Sequence, residues 1–192
     1  SSFSLINNKK TVQDIYNSNY RFPPPPRKPT MTAVPGDGKV TLYWDRVAEE
    51  SLDPVTKEKD FQGYKIYRAT DPNFNDVRNI TDANGLIQGY STLAQFDKKD
   101  EIKGYFYPSK SLFQDTKGYS YYLGDDSGLI HSYVDNDVQN GRTYYYALVA
   151  YDHGDEEKDI FPSENSKFIS VLPTGEIITD QNTAYITPTS VS

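Results

Sequence analysis

The sequence predicts an all-β fold, two antiparallel sheets packed as a sandwich, and three observations predict it. Val40, Leu42 and Trp44 alternate with Thr41 and Tyr43, and a second alternating run places Tyr144, Tyr146, Leu148 and Ala150 opposite Tyr145, Ala147, Val149 and Tyr151. A period of two is the signature of a strand, because successive side chains leave opposite faces of the pleat. Tyrosine supplies 17 of the 192 residues, and its ring suits a half-buried pleated surface better than a helix interior. Turn signals recur along the whole chain, among them Pro35-Gly36-Asp37-Gly38, Asn84-Gly85, Lys117-Gly118 and Asp126-Ser127-Gly128.

The elements follow in order. Residues 1–28 are polar and end in the run Pro23-Pro24-Pro25-Pro26, which lacks backbone donors and favours an extended polyproline conformation, so they are expected to form a linker. Residues 29–35 form a first strand and residues 39–45 a strong second one, with one dry face. After a polar loop, Tyr64, Ile66 and Arg68 alternate with Lys65 and Tyr67 in a third. Residues 71–130 carry scattered aromatics between turn signals and read as an inserted subregion of short strands packing Phe96, Phe106, Phe113, Tyr119 and Tyr121. The run at 144–151 is apolar on both faces, so that strand is expected to be central. Residues 165–172 form the expected last strand, closed by Pro173, and residues 174–192 a C-terminal linker or the start of a next domain. The predicted core is Trp44, Tyr64, Ile66, Tyr144, Tyr146 and Leu148.

Composition narrows the function. A formal charge of -7 and a sequence pI of about 4.8 repel phosphate backbones, and no Lys/Arg run makes a local exception, which argues against nucleic acid as partner. No apolar stretch reaches the ~20 residues that span a bilayer, and Ser1-Ser2-Phe3-Ser4 has neither the basic nor the apolar region of an export signal. The absence of cysteine excludes disulfides, thiolate metal sites and a cysteine nucleophile. His131 and His153 fall in no spacing that suggests zinc or a nucleophile and base pair, and there is neither a phosphate loop nor a Gly-x-Ser-x-Gly elbow. No enzyme is expected.

In Val138-Gln139-Asn140-Gly141-Arg142-Thr143-Tyr144 an apolar residue precedes a tyrosine by six places and a glycine precedes it by three. These spacings resemble the tyrosine corner of fibronectin type III domains, whose hydroxyl bonds back to upstream backbone. Trp44 in Gly38-Lys39-Val40-Thr41-Leu42-Tyr43-Trp44-Asp45 is similar to that family's core tryptophan, and Gly63-Tyr64-Lys65-Ile66-Tyr67-Arg68 to its third strand. The resemblance implies an immunoglobulin-like sandwich over residues 29–173. The strand end Tyr67-Arg68-Ala69-Thr70-Asp71 and the run Tyr144-Tyr145-Tyr146-Ala147-Leu148-Val149-Ala150-Tyr151-Asp152 are similar to modules of very large secreted bacterial proteins, which implies a structural or interaction module of such a secreted or cell-surface protein, partnered by other domains or by copies of itself.

Two ligand readings accompany it. Asp71, Asn73, Asn75, Asn79 and Asp82 place oxygens at positions 1, 3, 5, 9 and 12 of a calcium-type loop, with the Val77 carbonyl at position 7. Asp76 stands where such a loop needs glycine, and position 12 is not glutamate; both departures favour the alternative, an Asx-rich turn anchored by Phe74. Exposed tyrosines from among Tyr105, Tyr107, Tyr119, Tyr121 and Tyr122 offer a platform for stacking glycans or docking protein, the alternative being that they pack the insertion.

Overall fold

The computed structural model describes residues 23–54, 56–77, 80–81, 87–89, 91–107 and 121–191. Thirteen strands are described: β1 (Met31–Gly36), β2 (Lys39–Trp44), β3 (Phe61–Ala69), β4 (Ile80–Thr81), β5 (Ile87–Gly89), β6 (Ala94–Asp97), β7 (Gly104–Phe106), β8 (Tyr121–Gly124), β9 (Ser132–Asp135), β10 (Tyr144–Asp152), β11 (Ile169–Val171), β12 (Ile177–Thr179) and β13 (Thr183–Ile186). All their pairings are antiparallel. A three-stranded sheet ordered β1-β2-β9 faces a four-stranded sheet ordered β13-β10-β3-β6, so the chain is an all-β sandwich.

The alternation read from the sequence decides what lies between the sheets. Val40, Leu42 and Trp44 from one sheet meet Tyr64, Ile66, Tyr146, Leu148 and Ala150 from the other. All six predicted core residues, Trp44, Tyr64, Ile66, Tyr144, Tyr146 and Leu148, are buried in this cluster. The rings of Trp44 and Tyr64 meet edge to face at 5.8 Å, a favoured geometry for aromatic pairs. The β10 strand is central, flanked by β13 and β3, as its two apolar faces require.

The outer face of the four-stranded sheet is covered as well, which makes a third layer. The β7–β8 hairpin lays Phe106 and Leu123 against Tyr151 and Phe161. Toward the other end of that face, Phe74 and Ile169 pack on Tyr67, Ala69, Ala147 and Val149. Gly124, at φ 123°, makes the hairpin's docking feasible, since a Cβ there would lie 2.2 Å from the Asp97 carboxyl carbon. Asp97 is fully buried and accepts the Asp126 and Ser127 backbone N–H groups at 2.9 and 3.0 Å, tying β6 to the turn after β8.

The structure corrects the expected boundaries. Residues 174–192 are not a linker: β13 pairs with β10 in register Tyr144↔Ile186 to Ala147↔Thr183, and Ala184 and Ile186 pack on the core. The expected last strand at 165–172 contains only β11, which pairs with β12 in a hairpin outside both main sheets. Within the expected insertion, β6 is an integral strand of the four-stranded sheet. At the other end, residues 23–28 are docked rather than spacing: Pro23 and Pro26 are buried, and their carbonyls accept Ser163 Oγ–H and Asn165 Nδ2–H, each at 2.7 Å.

Candidate functional site

The predicted cation loop is brought together only in part. Asp71 Oδ1 accepts the Asn73 N–H at 2.9 Å and Asp71 Oδ2 the Asn75 N–H at 3.0 Å, while Asn75 Nδ2 donates back to Asp71 Oδ1 at 3.2 Å. Asp76, at the position where glycine was wanted, turns away and accepts Thr70 N–H and Oγ1–H, each at 2.8 Å. Phe74 anchors the loop in the outer cluster with φ 54°, and Val77 is half-buried beside it. Asn79 and Asp82 lie outside the described residues. Among those that are described, the loop is an Asx-type turn whose carboxylates serve their own backbone, and no group of three His, Cys, Asp or Glu side chains is placed to hold a metal.

A polar cleft of about 530 Å³ opens at the pole where β3 ends and β10 begins. Its floor is Arg68, which donates from Nη1 to Asp135 Oδ2 at 2.9 Å and to the Asp137 carbonyl at 2.8 Å. Asp135 is 2% exposed and also accepts the Tyr146 hydroxyl at 2.7 Å, so its charge is fully partnered. Burial, and then the Asp135 carboxylate, push the Tyr146 phenol well above its usual range. Arg142 stands 5.7 Å over the Tyr144 ring at the cleft wall, and Gln139, Asn136 and Asp76 complete a rim of short polar groups.

The β7–β8 hairpin presents a second surface. Tyr105 and Tyr107 are each 52% exposed, their rings 6.2 Å apart, and Tyr122 packs 5.0 Å from Tyr105 on the paired strand. Tyr121 points inward instead, where its hydroxyl donates to Glu164 at 2.8 Å and its ring covers Lys65 Nζ at 3.6 Å. Tyr119 lies outside the described residues.

Several buried or half-buried polar groups had no marker in the sequence. Lys65 stands on the outer face of β3 between Tyr121 and Tyr151, 6% exposed, and burial pushes its amine down to about 8. Glu164 accepts Tyr67 and Tyr121 hydroxyls at 3.0 and 2.8 Å. Glu49, on the 3-10 turn Val47–Glu50, accepts the Tyr64 hydroxyl at 2.9 Å and meets His131 Nε2. Asp152 is fully buried at the end of β10, and desolvation pushes its carboxyl up to about 7. These groups come from strands and loops far apart in sequence, so only the fold assembles them.

The class that this architecture defines is an antiparallel β-sandwich with a covered outer sheet face, a polar cleft at one pole and an exposed tyrosine cluster. No family model, no curated protein and no solved structure matches the chain. Among the described residues no helix is long and apolar enough to cross a membrane.

Proposed function

We propose that this chain is a non-catalytic structural and interaction module of the fibronectin type III kind, working in series with other domains of a secreted or cell-surface bacterial protein. The observation that carries the reading is the path of the polypeptide. Pro23 is held by Ser163 beside the last residue of β10, Asp152, whereas the Pro188 carbonyl accepts the Gly141 N–H beside the first, Tyr144. Among the described residues the chain therefore joins the sandwich at one pole and ends at the other, about 27 Å apart at ~3.3–3.4 Å per strand residue. Both segments are tied into the sandwich, an arrangement suited to joining neighbours end to end.

The sheet orders and the corner add support. Tyr144 Oη accepts the Gln139 N–H at 2.9 Å, the bond that the resemblance to the family implies. Small-angle scattering of two copies fused in tandem tests the reading. A serial module gives a rod close to twice the length of one copy; a folded-back, compact pair overturns it.

A second reading, glycan binding through the inserted hairpin, is favoured by the half-exposed rings of Tyr105 and Tyr107, which offer apolar faces with polar tips. A glycan array probed with the protein and with a Tyr105→Ala, Tyr107→Ala double variant decides it. Binding lost in the variant supports the reading, and silence from the wild type with and without chelator removes it.

A further inference from the structure

The tetraproline segment is held to the sandwich by its carbonyls, because proline has no N–H to offer. The domain must supply the donors. Asn165 Nδ2 donates to the Pro26 carbonyl at 2.7 Å, Gln181 Nε2 to the Lys28 carbonyl at 2.6 Å, and Ser163 Oγ lies 2.7 Å from the Pro23 carbonyl.

Ser163 Oγ is also 3.0 Å from Asp152 Oδ2. One hydroxyl hydrogen cannot fill both gaps. The Ser163 backbone is held in place, its N–H donating to Asp152 Oδ1 at 3.0 Å and its carbonyl accepting the Asp152 N–H at 3.1 Å, and its Oγ sits between the two acceptors. Both short contacts are hydrogen bonds only when a second hydrogen is present: Asp152 Oδ2–H donates to Ser163 Oγ, whose own hydrogen then goes to Pro23. With Asp152 ionised, the hydroxyl turns to the charged acceptor, which forms the stronger bond, and the buried Pro23 carbonyl loses its donor.

We propose that Asp152 and Ser163 form a proton-dependent latch that pins the proline-rich segment when the carboxyl is protonated and frees its Pro23 end when the carboxyl ionises. The surroundings place the transition near neutrality. Burial leads in raising the Asp152 carboxyl to about 7, and the Asp60 carboxylate, on the loop before β3, adds to it; the Ser163 N–H and hydroxyl and the Gly154 N–H pull the other way. Asp60 is itself raised by burial and by Asp53, with a smaller contribution from Glu58 in the same sense, while His153 opposes them. Above neutral pH, among the described residues, the bonds left to hold this segment are those of Pro26, Arg27 and Lys28.

The test is carbon-detected NMR on the whole chain. In the wild type the Pro23 carbonyl resonance should move upfield as the Asp152 carboxyl titrates, with one shared midpoint, as a carbonyl losing its donor does. Asp152→Asn keeps the Oδ1 acceptor and places a permanent N–H donor at the Oδ2 position, so the Pro23 carbonyl should hold its low-pH position throughout. Ser163→Ala should hold the high-pH position throughout. Above the midpoint, Arg27 and Lys28 amides should exchange about five- to tenfold faster in the wild type than in Asp152→Asn at the same pH, as the loss of one hydrogen bond allows. A Pro23 carbonyl that ignores the Asp152 titration, or follows pH alike in wild type and Ser163→Ala, overturns the latch. Should Asp152→Asn fail to fold, the wild-type and Ser163→Ala titrations decide alone.

Discussion

The Tyr144 hydroxyl accepts the backbone N–H of Gln139 at 2.9 Å, closing the loop between β9 and β10 over one end of the core. Tyr144 is itself 4% exposed, with Arg68 and Arg142 both near its ring, so the bond joins a buried anchor to the cleft wall. Tyr144→Phe keeps the ring and removes the acceptor. We expect a loss of ~0.5 to 1.5 kcal/mol in urea unfolding with little change in m-value, the net worth of one partly buried hydrogen bond. An unchanged midpoint would mean that the corner contributes nothing.

Asp135 is shared by Arg68 and Tyr146 and also accepts the Asp137 N–H at 3.0 Å. Asp135→Ala takes the buried carboxylate from the buried phenol and from the partly buried guanidinium, which keeps its contacts to Asp137, and is expected to destabilise by ~2 to 4 kcal/mol. The double variant Asp135→Ala, Arg68→Met should recover part of that loss, because the guanidinium is no longer left without its carboxylate. A thermal melt series on the two variants measures the recovery.

Lys65 gives a pH dependence with a defined sign. Its amine falls from 10.5 to about 8 in the fold, so between about pH 8 and 10.5 the folded chain holds fewer protons than the unfolded one. The Lys65 contribution therefore improves as pH rises through that window, and the cost of the buried charge is fully present below it. Lys65→Met should raise stability at pH 7 by ~1 kcal/mol or more and flatten this part of the profile. The comparison is made between the two proteins by chemical denaturation at pH 7 and at pH 9.5.

Removing residues 174–192 deletes β12 and β13, exposes the edge of β10, and uncovers core residues beside Ala184 and Ile186. The shortened chain, ending at Pro173, is expected to lose cooperative unfolding, visible as a sloping rather than sigmoidal melt. A shortened chain that melts like the full one would restore the linker reading of this segment.

Calcium should not move the melting midpoint through the residue 71–76 turn, because Asp71 and Asp76 are engaged by N–H and hydroxyl donors of the same turn. Asp71→Ala is expected to cost ~1 kcal/mol with or without chelator, the scale of a lost capping bond. A midpoint that rises with calcium in the wild type and not in Asp71→Ala would revive the cation site.

What the sequence by itself determined is the sandwich and its inner face. A strand's side chains alternate whatever lies around it, so Val40, Leu42, Trp44, Tyr64, Ile66, Tyr144, Tyr146 and Leu148 declare which side is dry before any partner is known. The two apolar faces of residues 144–151 declared a central strand for the same reason. Tertiary structure alone decided the rest. The short run Thr183-Ala184-Tyr185-Ile186 becomes a sheet strand only because the open edge of β10 offers it hydrogen bonds and a core to cover. Four consecutive prolines read as a spacer, since their lack of donors is local information. The donors that dock them, on Ser163 and Asn165, lie roughly 140 residues away, a distance at which no sequence period carries a signal. The buried Lys65, Asp135 and Asp152 are likewise polar letters in strand patterns. What surrounds each, and hence what each does, is set by side chains that only the folded chain brings within a few ångströms.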